Sequence, residues 1–385
     1  MGKARNGPTA LRPHLHWRVD ARLLARIVAE SGRTEKRHRL LPARVVVYYV
    51  LGLALFSDAS YEEVMRMLVE GLSWAGVWAK SWNVPTKATL FKARVRLGAQ
   101  PLRELFCETA TPLATERTKG AWFKGRRLMS IDGTCLDIAD TEANAAAFGR
   151  PGSAREDRVA AFSQIRVVGV AECATHAIVD AVIGKYSESE QRLAATLMDA
   201  LAPDMLLLAD RGFFSFSLWE KARATGADLL RRTKSNHALD VQQRLSDGSF
   251  LSAIYPSTKD RRHDTTGASV RVIEHSLENG SDDDTTYRLL TTMLDPKVAS
   301  ANELAALYKG RWEFETALDE LKSHQRSPRV VLRSKMPDGV LQESLRLPLR
   351  PLRHTMVDAF GRPQRWRGPR SLKFHRHPGF SPSGA

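Results

Sequence analysis

The chain has 385 residues, 58 of them Lys or Arg and 43 Asp or Glu, giving a net charge of +15, and 43% are hydrophobic. That length allows roughly two or three domains of about 100–200 residues, and the apolar content suits packed cores rather than disorder. Cys107, Cys135 and Cys173 form no Cys-x-x-Cys pair, and the longest apolar run, Val45–Phe56, falls short of the roughly 20 residues of a membrane span; a disulfide framework, a cysteine-rich zinc site and a membrane protein are excluded, and a cytoplasmic location is expected.

The first third reads as helical. Apolar residues recur at helical spacing through Leu23, Leu24, Ile27 and Val28, through Val45–Phe56, and through Val64, Met67, Leu68 and Leu72. Ser60 before Glu62 and Glu63 is a helix start. Pro85-Thr86 opens a further helix carrying Lys87, Lys92, Arg94 and Arg96, so two helices about a turn, the second basic, suggest a helix-turn-helix-like DNA reader. A bundle with a solvated basic face is the competing structural reading. Trp74, Trp78 and Trp82 recur every four residues and are expected to pack as one aromatic stripe.

From residue 128 the pattern turns to strands: Leu128–Ile138, Ser163–Ala171 and Ala177–Ile183, then a helix over Glu188–Leu201, a strand at Met205–Ala209, a helix near Ser217–Gly226 and a strand at Ala227–Arg232. Consecutive strands followed by strand–helix alternation predict a mixed sheet covered by helices. Residues 235–299 are polar, with strands at Ser269–Ser276 and Thr286–Met293, and Asp282–Asp284 reads as a loop. A last clear helix spans Ser300–Ser323; Pro, Gly and Arg dominate beyond it. The charge follows this division: residues 1–130 carry +13, residues 131–322 carry −8 and residues 323–385 carry +10. Phosphate binding is thereby assigned to the ends, and a carboxylate task, such as metal chemistry, to the middle.

Three carboxylates stand where a fold can make them converge: Asp132 within a strand, Asp210 at the carboxyl end of the run Leu206–Ala209, and Glu315 on the last helix. Such a set can hold two divalent cations through oxygen, although a strand-end Asp is often only a turn former. In the last helix Tyr308, Arg311, Glu315 and Lys322 follow at steps of 3, 4 and 7, which keeps all four on one face. A surface ion pair between Arg311 and Glu315 accounts for only two of them.

This Tyr-x2-Arg-x3-Glu-x6-Lys pattern resembles the signature around the catalytic glutamate of DDE transposases of bacterial insertion sequences, specifically the insertion-sequence-4 family. Ile131–Thr134 resembles the segment of the first aspartate and Leu208–Phe214 that of the second, while Leu41–Val50 and Ala93–Gly98 resemble the family's amino-terminal domain. The resemblance implies an α/β fold: a ribonuclease-H-like catalytic core with a β-rich insertion, preceded by an all-α DNA-binding domain. It divides the chain into a helical DNA-binding domain (1–125), a first core part (126–234), the insertion (235–299), the helix with the catalytic Glu (300–336) and an atypical basic tail (337–385).

The same resemblance implies a cut-and-paste transposase in which Asp132, Asp210 and Glu315 hold two Mg2+ (or Mn2+) ions. Arg311 and Lys322 would contact phosphates and Tyr308 the DNA backbone. The expected partners are the transposon's terminal inverted repeats and target DNA, bridged by a homodimer, with nucleoid association and no membrane. Relatives that form a hairpin use a Trp in the insertion to hold a flipped base; no Trp occurs between Trp219 and Trp312, which leaves Phe250, Tyr255 and Tyr287 as stacking candidates. Residues 344–378 depart from the family's pattern, so a catalytically inactive relic that only binds DNA is the alternative.

Overall fold

A computed structural model describes residues 21–37, 39–56, 59–74, 84–151, 162–234, 237–276, 286–314 and 331–345. Its amino-terminal part consists of α1 (Ala21–Glu30), α2 (Ala43–Leu55), α3 (Tyr61–Trp74), α4 (Lys87–Leu97) and α5 (Gln100–Thr109). Side-chain oxygens start two of them: Ser60 Oγ accepts the Glu63 amide at 3.2 Å and Thr86 Oγ1 the Thr89 amide at 3.4 Å. Val46, Val47, Val50 and Leu51 of the nearly all-apolar α2 are buried among Leu24 and Ile27 of α1, Met65 and Leu68 of α3, Leu90 and Leu97 of α4, and Leu102 and Leu105 of α5. A helix apolar on every side has to be surrounded, and α2 is.

The rest is built on one sheet: β1 (Trp122–Phe123), β2 (Arg126–Ile138), β3 (Ser163–Glu172), β4 (Ile178–Lys185), β5 (Met205–Ala209), β6 (Asp228–Thr233), β7 (Gln243–Arg244), β8 (Phe250–Ile254), β9 (Ala268–Ser276) and β10 (Thr286–Thr291). The order is β4-β3-β2-β5-β6-β10-β9-β8-β7, with β1 paired to β2. β2, β3 and β4 are antiparallel, while β5 runs parallel to β2 and β6 parallel to β5. Counted from β2, the order 3-2-1-4-5 is that of a ribonuclease-H-like core. Strands β10 to β7 extend the same sheet through the antiparallel β6–β10 pair.

The flanking helices are α6 (Glu142–Phe148), α7 (Glu190–Ala195), α8 (Phe216–Arg223), α9 (Thr258–His263), α10 (Ala301–Phe314) and α11 (Pro337–Leu345). Side chains alternate across the strands. Met129, Ile131, Leu207, Ala209 and Leu229 pack on Leu193 of α7 and Trp219 of α8. Leu128, Leu206, Leu208, Leu230 and Leu289 pack on Leu304, Ala305 and Tyr308 of α10.

Several elements depart from the sequence expectation. The helix expected over 188–201 is α7 followed by a 3-10 turn at Met198–Ala200. Thr196 Oγ1 donates to Leu193 O at 2.7 Å where the break falls. Helix α9 escapes a periodicity reading because it buries no residue. The segment from Pro337, read as the head of an irregular tail, forms α11 and buries Val340, Gln342 and Glu343. Trp78, Trp82 and Asp282–Asp284 lie outside the described residues.

Candidate active site

The site rests on a register. In the parallel β2–β5 pair Ile131 stands opposite Ala209, so one residue further along both chains Asp132 and Asp210 lie side by side, on strands about 5 Å apart. Asp210 keeps extended backbone angles (φ −76°, ψ 167°) as the chain leaves β5. Alternation therefore continues: Asp132 follows Leu128, and Asp210 follows Leu206 and Leu208, onto the face that α10 covers. Both are half-buried. Asp210 stands just past the carboxyl end of β5, where open sheets bind ligands, and Asp132 stands midway along β2, where its parallel pairing with β5 ends.

From α10, Tyr308 reaches into this corner. Its side chain is buried, and its hydroxyl donates to Ala209 O at 3.3 Å and lies 3.5 Å from Asp210 Oδ1. The same helix carries Arg311 on its last described turn; Glu315 and Lys322 lie outside the described residues. Among the described residues no three His, Cys, Asp or Glu side chains cluster to hold a metal ion.

Gly133, next to Asp132, has a packing reason. A Cβ there would stand 2.9 Å from the carboxyl of Glu190, which occupies the α7 face of the sheet and pairs with Arg166 at 3.1 Å. On the same face, Arg231 is fully buried; its Nη1 donates to Phe213 O at 3.2 Å, bracing the turn that follows Asp210. Burial pushes its pKa down to about 10.

Sequence reasoning missed Arg232. Ala209 pairs with Arg231, so Arg232 stands beside Asp210, and it follows Leu230 onto the α10 face. Its guanidinium lies 4.0 Å from the centre of the Tyr287 ring on β10. The usable signal was the Leu-Leu-Arg-Arg ending of the strand beside Asp210. Of the other stacking candidates, Phe250 is buried in the core and Tyr255 donates to Asp264 Oδ1 at 2.5 Å.

The four cations of α4 separate. Lys87 and Lys92 are exposed, Lys87 within 3.8 Å of Glu62. Arg96 is half-buried and donates to Leu41 O at 2.7 Å. Arg94 has to be withdrawn as a surface DNA contact, because it shares the buried stripe of Leu90 and Leu97. It donates to Gln342 Oε1 at 2.9 Å, Gly339 O at 3.2 Å and Glu343 Oε1 at 3.3 Å, clamping α4 to α11.

Two family models match the chain. Residues 13–107 match the family model for the insertion element 4 transposase N-terminal region, and residues 123–341 match the transposase DDE domain. The transposase InsG for insertion sequence element IS4 of Escherichia coli (strain K12) is 29% identical over 348 residues, 88% of this chain and 74% of that protein. The putative transposase InsZ of the same strain is 26% identical over 188 residues, 49% of this chain and 60% of that protein. Among solved structures, the cryo-EM structure of a piggyBac transposase synaptic complex with hairpin DNA is 11% identical with a TM-score of 0.43, over 96% of this chain and 86% of that one.

The chain belongs to the DDE transposases, within the insertion-element-4 family. It is a transposase, DNA is its partner, and dependence on divalent metal comes with the family. No helix among the described residues is long and apolar enough to cross a membrane.

Proposed function

We propose that Asp132, Asp210 and Glu315 form the metal-binding catalytic set of a cut-and-paste transposase that cuts at the terminal inverted repeats of its element and joins the cut ends to target DNA. The observation that carries this is the β2–β5 register, which sets Asp132 and Asp210 side by side on the face covered by α10. Glu315 follows Tyr308 by seven residues, two helical turns, so a continuing helix would keep it on Tyr308's face.

The donor set fits the expected ions. Carboxylate oxygens suit Mg2+ or Mn2+, and two neighbouring acids repel each other unless a cation lies between them. Bound there, two such ions would supply activation of the attacking oxygen and stabilisation of the leaving one. The chain's own side chains do the rest. Asp132 and Asp210 present carboxylates from a rigid sheet, and Tyr308 orients Asp210. Arg232, Arg311 and Lys322 neutralise phosphates near the cut, while Lys87 and Lys92 neutralise them along the transposon end.

The reading assigns residues 1–125 to end recognition, 126–234 and 300–336 to the catalytic core and 235–299 to the insertion. It also includes a homodimer that bridges two ends and a nucleoid location. None of the findings favours an inactive relic. The test is incubation of the protein with a duplex of its element's ends and a target plasmid in Mg2+ or Mn2+. Cleavage with joined products by the wild type, and neither by Asp132→Asn, is the expected result. Nicked ends that never join would make the protein a nuclease, and binding without cleavage would make it a relic.

A further inference from the structure

Far from the carboxylates, a buried cation is bonded to the start of α10. Arg271 on β9 is fully buried, on the sheet face that α10 covers. Its Nη1 donates to Ala299 O at 2.7 Å and Met293 O at 3.3 Å, the two ends of the link from β10 to α10. Its Nε donates to Ser249 Oγ at 2.8 Å, and its Nη2 pairs with Asp247 in the β7–β8 turn. Asp247 Oδ2 in turn accepts the amide of Ala301, the first residue of α10, at 2.7 Å. Met293 O, Ala299 O and the Ala301 amide are thus tied to the insertion strands rather than to the strands that carry the aspartates.

We infer that Arg271 and Asp247 are positioning residues for the transposase reaction: they set the axis of α10 and so deliver its distal residues to Asp132 and Asp210. This inference rests on the proposed catalytic role of that helix. The leverage is geometric. Tyr308 lies seven residues beyond Ala301, about 10 Å along the axis, so a tilt of about 10° at the start displaces it by about 2 Å. Its hydroxyl already stands 3.3 Å from Ala209 O and 3.5 Å from Asp210 Oδ1, with no slack for such a shift. Misplacement of about 1 Å at a reacting centre can cost about a hundredfold in rate. The capping box of α10 itself, Ser300 with Glu303 at 2.9 Å, starts the helix, and Glu303 adds a solvent-exposed pair with Lys124 of the β1–β2 turn at 2.7 Å; the fully buried Arg271 is the tie that solvent does not screen.

The experiment uses the full-length protein with Asp247→Asn, Arg271→Lys and Arg271→Met, and Asp132→Asn as the catalytic control. Three quantities are read: binding to a duplex of the element's ends without metal, single-turnover cleavage as a function of Mn2+ concentration, and hydrogen exchange of the α10 amides. The expected result is end binding within twofold of wild type, cleavage at least tenfold slower for Asp247→Asn and Arg271→Met, a raised half-saturating Mn2+ concentration, and partial rescue in Arg271→Lys. Exchange should rise across α10 while β2 and β5 stay protected. Unchanged Mn2+ dependence and rate in folded variants would overturn the inference, as would loss of cleavage only in proportion to the unfolded fraction. If the wild type cleaves no better than Asp132→Asn, the proposed catalysis fails. The exchange arm then decides the lock alone: faster α10 exchange with protected β2 and β5 supports it, and unchanged exchange overturns it.

Discussion

Replacing Arg94 by Met separates two roles that a basic helix can play. The guanidinium and the Glu343 carboxylate form a pair at 3.3 Å with side chains 8% and 2% exposed. Removing the cation leaves that carboxylate buried, with the Arg333 amide still bonded to it at 2.9 Å, and takes a donor from Gln342 Oε1 as well. Breaking a buried pair from one side costs up to about 3–5 kcal/mol. Lys92, exposed on the same helix, is the control: Lys92→Ala should stay within about 0.5 kcal/mol of wild type. The assays are urea unfolding and binding of the element's end duplex across a salt series. Arg94→Met should shift the midpoint down and leave the salt slope alone, whereas Lys92→Ala should lower the salt slope by about one. An Arg94→Met protein as stable as wild type but with a reduced salt slope would refute the buried clamp and restore Arg94 as a phosphate contact.

Gly133→Ala sets a Cβ 2.9 Å from the Glu190 carboxyl, the far end of a flexible side chain that can swing aside at the expense of its Arg166 pair, so the cost should stay within about 1 kcal/mol; a double-mutant cycle of unfolding free energies with Glu190→Ala should assign that loss to this one contact. Tyr308→Phe removes two long hydrogen bonds, so the loss should be about 1 kcal/mol or less, with cleavage slowed less than tenfold in single-turnover assays. The Glu303 carboxyl is held at about 2, against 4.5 ordinarily, first by the hydrogen bond from Lys124 and then by those from Ser300. A depressed acid stabilises fully above its unfolded pKa and loses that contribution as pH falls through the folded value. Hydrogen exchange in the first turn of α10 should therefore quicken as pH drops from about 4.5 to about 2, once the intrinsic rate is divided out, and Glu303→Gln should abolish the dependence.

Strand periodicity made the site legible where it was local. The stretch around Asp132 and the apolar run before Asp210 announced two strands, and the described β2 and β5 run through them. Their parallel pairing and the one-residue offset that aligns the two aspartates are long-range facts no window of sequence contains. Arg94 went astray for the same reason: a cation on an apolar stripe signals a buried partner, and that partner lies 249 residues away. Arg232 was overlooked because its value comes from β5 and β10 on either side. The signature around Glu315 was legible from spacing and resemblance, although Glu315 itself lies outside the described residues.

The metal-binding role of the paired aspartates is tested most directly by counting bound Mn2+, by electron paramagnetic resonance, in the complex of the full-length protein with its end duplex. Asp132, Asp210 and Glu315 together predict about two ions per subunit in the wild type. Asp132→Asn and Asp210→Asn should each lose at least one ion while DNA binding is kept. Wild-type Mn2+ occupancy in both variants would contradict the proposal that the paired aspartates hold the metal.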